Sequence, residues 1–231
     1  MIFTESKPLN EVLRYLEGKN RVFIAGCGTC STSWRTGGER EVAAMKDFLE
    51  NQGKLVTGTK VVEVPCDERQ DRRDLGRGVH AQEIAGSDAV IVMSCGVGCS
   101  TIAGVLPDKP VYPALNTMFL GRLQRLTAGD ERCTLCGDCL LAYTGGICPV
   151  TICPKGLLNG ACGGTTRDGK CEVDNTKECA WVAIWNRMER INELPKLDFL
   201  SKPKNHQRST HPHREEKPLA PVEITPQKVE V

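Results

Sequence analysis

Three things are scarce in this sequence: charge of one sign, long apolar runs and large aromatic side chains. Lys and Arg number 30 against 29 Asp and Glu, a formal +1. There is no basic excess to recruit a nucleic acid. No stretch approaches the roughly 18 apolar residues of a membrane span, and the strongest run, Ala89 to Met93, has the length of a strand. Aromatics make up only 5% of the chain. The N-terminal Met-Ile-Phe-Thr-Glu-Ser-Lys lacks a basic region followed by an apolar block, which argues against secretion. Histidine is scarce too, His80 being the sole one outside the C-terminal tail.

Cysteine, by contrast, is abundant: thirteen in 231 residues. Disulfides are rare in a reducing cytosol, so in a chain with no export signal cysteine reads as ligand, and the expected location is the cytoplasm. Eight cysteines fall between Cys133 and Cys179, in a segment nearly as rich in glycine and poor in large apolar residues. Such a composition cannot close an ordinary apolar interior. Metal held by thiolates would supply the folding free energy that burial does not.

The rest of the chain alternates between strand and helix patterns. Leu9, Val12, Leu13 and Leu16 recur at helical spacing before Gly18. Strands are expected at Arg21–Gly26, Lys60–Val64, Ala89–Met93 and Pro110–Leu115. Thr36-Gly-Gly-Glu39 has the form of a capping box. The helix it opens places Val42, Met45, Phe48 and Leu49 on one face. A weaker helix carries Leu75, Val79 and Ile84, broken by Gly76 and Gly78, and a short one is expected from Thr101 to Leu106. Alternation of this kind predicts an α/β fold: a Rossmann-like open parallel sheet, followed by a small cysteine-rich metal-binding module and a C-terminal helix. The predicted division is residues 1–128 for the sheet domain, 129–198 for the module with its terminal helix, and 199–231 for a disordered tail. From Ser201 onward there are five prolines, no glycine and no aromatic. Trp181, Ile184, Trp185, Met188 and Ile191 form the stripe of the terminal helix, against the module, the sheet or a partner.

Cys27 and Cys30 follow the first of these strands, Cys66 the second and Cys95 the third. Ligands of open α/β sheets bind beyond the carboxyl ends of the strands, so these four thiols are expected at one edge. They suit a cubane iron–sulfur cluster or tetrahedral zinc. Cys99 is a further ligand, a spare, or a neighbour that tunes potential. The CxxC spacing of Cys27 and Cys30 also fits a thiol-redox pair, ranked below metal because two more cysteines are predicted beside it. Gly26-Cys-Gly28 and Gly96-Val-Gly98 fall short of a dinucleotide fingerprint, with Ser31 and Thr101 at the third glycine position. Those glycines are expected to let the backbone approach a metal centre and donate N–H groups to its sulfurs.

In the module, Cys133, Cys136 and Cys139 have the spacing of bacterial-type ferredoxin ligands, and Cys148 before Pro149 offers the fourth, after a longer gap. Cys153, Cys162, Cys171 and Cys179 complete a set of eight, enough for two cubanes or for one cubane and a zinc ion. The lack of nearby histidine favours iron–sulfur, with zinc retained for the last four. No Ser-His-Asp set or paired catalytic carboxylates stand at interpretable spacing, so no catalytic residue is assigned; Glu63, Asp67 and Glu68 read as surface or turn residues.

Gly26-Cys-Gly-Thr-Cys30, Thr36-Gly-Gly-Glu39, Glu131-Arg-Cys-Thr-Leu-Cys-Gly-Asp-Cys139, Thr144-Gly-Gly-Ile-Cys-Pro149, Lys155-Gly-Leu-Leu-Asn-Gly-Ala-Cys-Gly-Gly164, Gly169-Lys-Cys-Glu-Val-Asp174 and Glu178-Cys-Ala-Trp181 together resemble the methylene-tetrahydrofolate reductase C-terminal-domain family, over roughly residues 5 to 195. That family includes the small iron–sulfur subunit that accompanies the catalytic reductase in anaerobes. The resemblance implies an electron-transfer subunit, itself non-catalytic, with two or three [4Fe-4S] clusters, or zinc in place of one. It implies a flavin-containing catalytic subunit as partner, with flavin on that partner, and leaves room for further electron-transfer subunits. The alternative is a zinc-stabilised scaffold of the same kind of complex. One departure stands out: family members commonly carry a further cysteine where this chain has Trp34.

Overall fold

In a computed structural model, which describes residues 1–214, the chain forms an α/β protein with two sheets. Four strands are parallel: β2 (Arg21–Cys27), β3 (Leu55–Val62), β4 (Ala89–Met93) and β5 (Val111–Pro113), in the order β3-β2-β4-β5. The first three carry the expected strands, with β3 beginning and ending earlier than its valine run suggested. The predicted fourth strand is split. β5 holds three residues, and after Ala114 the chain enters β6 (Leu115–Arg125) of the second sheet.

That second sheet was not legible in the sequence. It is antiparallel, ordered β1-β6-β7, with β1 (Ile2–Ser6) and β7 (Ala128–Cys133) flanking β6. β7 ends on Cys133, so the hairpin of β6 and β7 delivers the first cysteine of the rich segment.

Residues alternate between the two faces of β2 and β4, as the strand period of two requires. Val22, Ile24, Ala89, Ile91 and Met93 face one way, packed on Val12 and Leu16 of α1 (Leu9–Tyr15) and on Val42, Met45 and Leu49 of α3 (Glu39–Asn51). Phe23, Ala25, Val90 and Val92 face the other way. They meet Leu75 after α4 (Glu68–Asp74), Ile84 of α5 (Gly78–Ala85) and Ile102 of α6 (Gly96–Val105). A parallel sheet buried on both faces needs this continuous apolar sequence.

Two local expectations need correction. Thr36 does not cap α3: its hydroxyl lies 2.6 Å from Thr4 Oγ1, and the helix begins after Gly38, whose N–H donates to Glu41 Oε2 at 2.9 Å. The single helix drawn through Leu75 and Ile84 is two helices, because the chain breaks at residues 75–77 between α4 and α5; Gly78, which opens α5, has φ +69°, where glycine is favoured.

Beyond β7 regular structure is sparse: α7 (Pro149–Ile152), α8 (Ala180–Arg190) and two short 3-10 turns, Leu194–Asp198 and His206–Ser209. The expected terminal helix is α8. Ile184 and Met188 are buried, whereas Trp185 is 53% exposed. Among the described residues no helix is long and apolar enough to cross a membrane.

Candidate metal centres

The strand order reverses between β2 and β4, which leaves a crevice beyond their carboxyl ends. Cys27 closes β2 and Cys95 precedes α6, and both are buried. Cys30 opens α2 (Cys30–Ser33), and its sulfur lies 3.4 Å from the N–H of Ile2. Cys66 follows β3 and is exposed. Burial pushes the Cys66 thiol up, and the thiols of Cys95, Cys27 and Cys30 push it the same way through their charge. Cys66 therefore lies within electrostatic reach of the other three thiols, which come from two further loops. Converging thiolates repel, and a shared cationic centre relieves that repulsion.

Cys99 stands apart. Burial, with a contribution from Cys95, pushes its thiol up to about 11, and its side chain packs against the cluster around Ile102 and Val90. It behaves as a small core residue. Trp34 stands edge-on to Phe3 at 4.6 Å, so at this position an aromatic fastens α2 to β1.

The glycines near these cysteines do something other than expected. The Gly28 N–H donates to Val62 O at 2.7 Å and the Gly96 N–H to Thr117 Oγ1 at 2.7 Å, so neither serves a sulfur. Gly26 is needed for packing: a Cβ there would stand 2.7 Å from Gly37 O and from a methyl of Val42.

The second grouping is built on a loop. Cys133, Cys136, Cys139 and Cys148 line one cavity of about 330 Å³, together with Leu135, Leu140 and Val150. The loop turns sharply: Leu135 has φ +57° and Gly137 φ +74°. The turn brings the Leu135 N–H to 3.3 Å from Cys133 Sγ. Cys148 immediately precedes α7, and the Thr151 hydroxyl donates to its sulfur at 3.5 Å.

The remaining four cysteines follow along the chain from α7 to α8. Cys153 closes α7. Cys162 is exposed and bonded to Glu172 at 3.3 Å. Cys171 and Cys179 are buried and flank a small antiparallel turn in which Lys170 bridges Glu178. Burial pushes the Cys179 thiol up. Hydrogen bonds from Thr165 Oγ1 and from the N–H groups of Val182 and Trp181 outweigh it and hold the thiol below its ordinary value.

Among the described residues no three His, Cys, Asp or Glu side chains are drawn together for a single metal ion. Zinc binds each sulfur at about 2.3 Å, so four ligands around one ion stand within roughly 4 Å of one another. The four cysteines of the loop are among the residues that line a space of about 330 Å³. Four thiols on one cavity are a donor set that fits an iron–sulfur cubane or a zinc ion.

The sequence suggested a disordered tail from residue 199 onward. Residues 199–210 return to the cysteine loop: Phe199 stacks on Tyr143 at 3.9 Å, and Asn159 exchanges hydrogen bonds with Ser201 at 3.0 and 2.7 Å. The part of the expected tail from residue 215 onward lies outside the described residues. His80 is bonded to Glu83 at 2.8 Å and stands edge-on to Phe23.

Residues 112–207 match the family model described as Methylene-tetrahydrofolate reductase C terminal. The match starts within β5 and ends in the last 3-10 turn, so it spans the whole cysteine loop. No curated protein and no solved structure matches the chain.

Proposed function

We propose that this chain, whose residues 112–207 carry the methylene-tetrahydrofolate reductase C-terminal region, is an iron–sulfur electron-transfer subunit. It would relay electrons to or from a flavin-containing catalytic partner that interconverts methylene- and methyl-tetrahydrofolate. The observation that carries this reading is the 330 Å³ cavity lined by Cys133, Cys136, Cys139 and Cys148. Those residues would hold one [4Fe-4S] cluster, and Cys27, Cys30, Cys66 and Cys95 a second. Cys153, Cys162, Cys171 and Cys179 would take a third cluster or a zinc ion.

When bound, such clusters supply single-electron transfer, whereas reduction of a methylene group needs a hydride equivalent; a flavin converts one into the other. The chain's own residues bind, orient and insulate. Leu135 N–H and Thr151 Oγ1 direct hydrogen bonds at the sulfurs of Cys133 and Cys148. Leu140, largely buried, and Val150 supply apolar walls that limit water access. The Rossmann-like sheet would hold the second set of thiols at its switch point, two after β2 and one each after β3 and β4.

Anaerobic purification tests the reading. The expected product is brown, with stoichiometric iron and acid-labile sulfide, and co-purifies with a flavoprotein. Cys136→Ser should remove one cluster's iron and abolish electron delivery to the flavin while leaving the sheet folded by circular dichroism. A colourless protein carrying zinc alone would sink the relay and leave the scaffold alternative.

A further inference from the structure

We propose that residues 199–210 form a basic strap over the Cys133–Cys148 centre, and that Lys204 on this strap sets the reduction potential of the cluster held there. The inference rests on the function proposed above. It concerns residues to which neither the cysteine spacing nor the family description gives a role.

Four contacts fasten the strap. Phe199 lies flat on Tyr143, their rings 8° from parallel. Asn159 grips the backbone of Ser201 through both ends of its amide. Lys204 Nζ stands 3.3 Å from Asp138 Oδ2 and also donates to the Asp138 carbonyl. Arg208 closes on Gly137 so tightly that a Cβ there would meet Arg208 O at 3.1 Å. Gly137 and Asp138 lie between Cys136 and Cys139 and line the same cavity as the cysteines. The strap is thus fixed to the loop that carries the thiols.

Its charge is one-sided. Residues 199–214 include Lys202, Lys204, Arg208 and Arg214 and no acidic residue. A cubane held by four thiolates is anionic overall, and more so after it accepts an electron. A cation nearby therefore stabilises the reduced form and raises the potential, most strongly where water is excluded. Lys204 meets that condition, with only 9% of its side chain exposed. Asp138, its partner, has the opposite influence. Removing the ammonium would leave this carboxylate uncompensated beside Cys136 and Cys139, so both changes act in one direction.

The test uses the full chain purified without oxygen, with potentials read by redox titration followed by electron paramagnetic resonance. Lys204→Met should shift one cluster signal to more negative potential, Lys204→Arg should leave it near the wild-type value, and Asp138→Asn should shift it the other way. Full-length Asn159→Ala/Phe199→Ala, which unfastens the strap without touching Lys204, should lose iron to a chelator several-fold faster. Unchanged potential in Lys204→Met would overturn the potential-setting role. Hydrogen exchange of residues 134–140 no faster in the double variant than in wild type, both as purified, would overturn the strap. A wild-type protein without iron or sulfide would defeat the proposed function and the role of Lys204 together, while the exchange measurement still decides the strap.

Discussion

The two halves of this molecule are held together by different physics. In the parallel-sheet half, two apolar clusters pack on opposite faces of β2 and β4, and every buried member of both lies between Val12 and Ala114. In the cysteine-rich half, the fully buried apolar side chains are few, Ile184 and Met188 of α8 among them. The backbone there turns through Gly145, Gly146, Gly156, Gly160, Gly163 and Gly169, all at positive φ. One half folds because its sequence hides oil; the other has little oil to hide, and on the function proposed above it would depend on what its thiols bind.

Stripping the metal would break the comparison most sharply. Thiolate–metal binding contributes on the order of 10 kcal/mol to small metal-folded domains, so extraction of iron should release the cysteine-rich half and spare the sheet. Hydrogen exchange should then show residues 134–179 losing protection together while β2 and β4 keep theirs. Uniform loss of protection across both halves would mean that the sheet also depends on its cysteines for stability.

The converse is a core truncation. Leu49 is fully buried against the sheet, and Leu49→Ala should cost about 3 kcal/mol from lost transfer energy and the cavity left behind. Thermal unfolding should register that loss in the sheet, with the visible absorbance of the Cys133–Cys148 centre unchanged until the sheet melts. An earlier loss of absorbance would show the halves to be one cooperative unit.

What could be read from the sequence divides along the same line. The strands β2 and β4 were legible because they are continuous apolar runs bounded by turn residues, and α3 because Val42, Met45 and Leu49 recur at helical spacing. The grouping of Cys133, Cys136, Cys139 and Cys148 on one cavity was legible because their spacing is local. β1, β6 and β7 were not: β6 carries Arg122, Gln124 and Arg125 among its apolar residues and is half exposed, so no two-residue alternation marks it. The strap was missed for a similar reason. Residues 199–210 look like tail by composition, and only tertiary contacts to Tyr143, Asn159 and Asp138 give them a place. The thiols of Cys27, Cys30, Cys66 and Cys95 could be expected together only once the strand order was assumed, since their meeting is a property of topology.

A last contrast lies within the sheet half, between residues that obey its logic and one that violates it. Asp71 on α4 is wholly buried, and neither carboxylate oxygen has a hydrogen-bond partner. Burial pushes its carboxyl up to about 7, with Asp74, Asp67 and Glu68 adding repulsion. In the unfolded chain the group ionises near its ordinary value of 3.8. Because the folded value is the higher one, the folded protein binds the extra proton, and stability falls as pH rises through the interval between the two values, then levels off above about 7. Asp71→Asn removes the ionisation. The variant should therefore gain on wild type with rising pH, by about 1–2 kcal/mol between roughly pH 5.5 and 8, seen as a widening gap in Tm. A constant gap would show that Asp71 finds a partner or water in solution, and that the sheet half tolerates no unpaired charge after all.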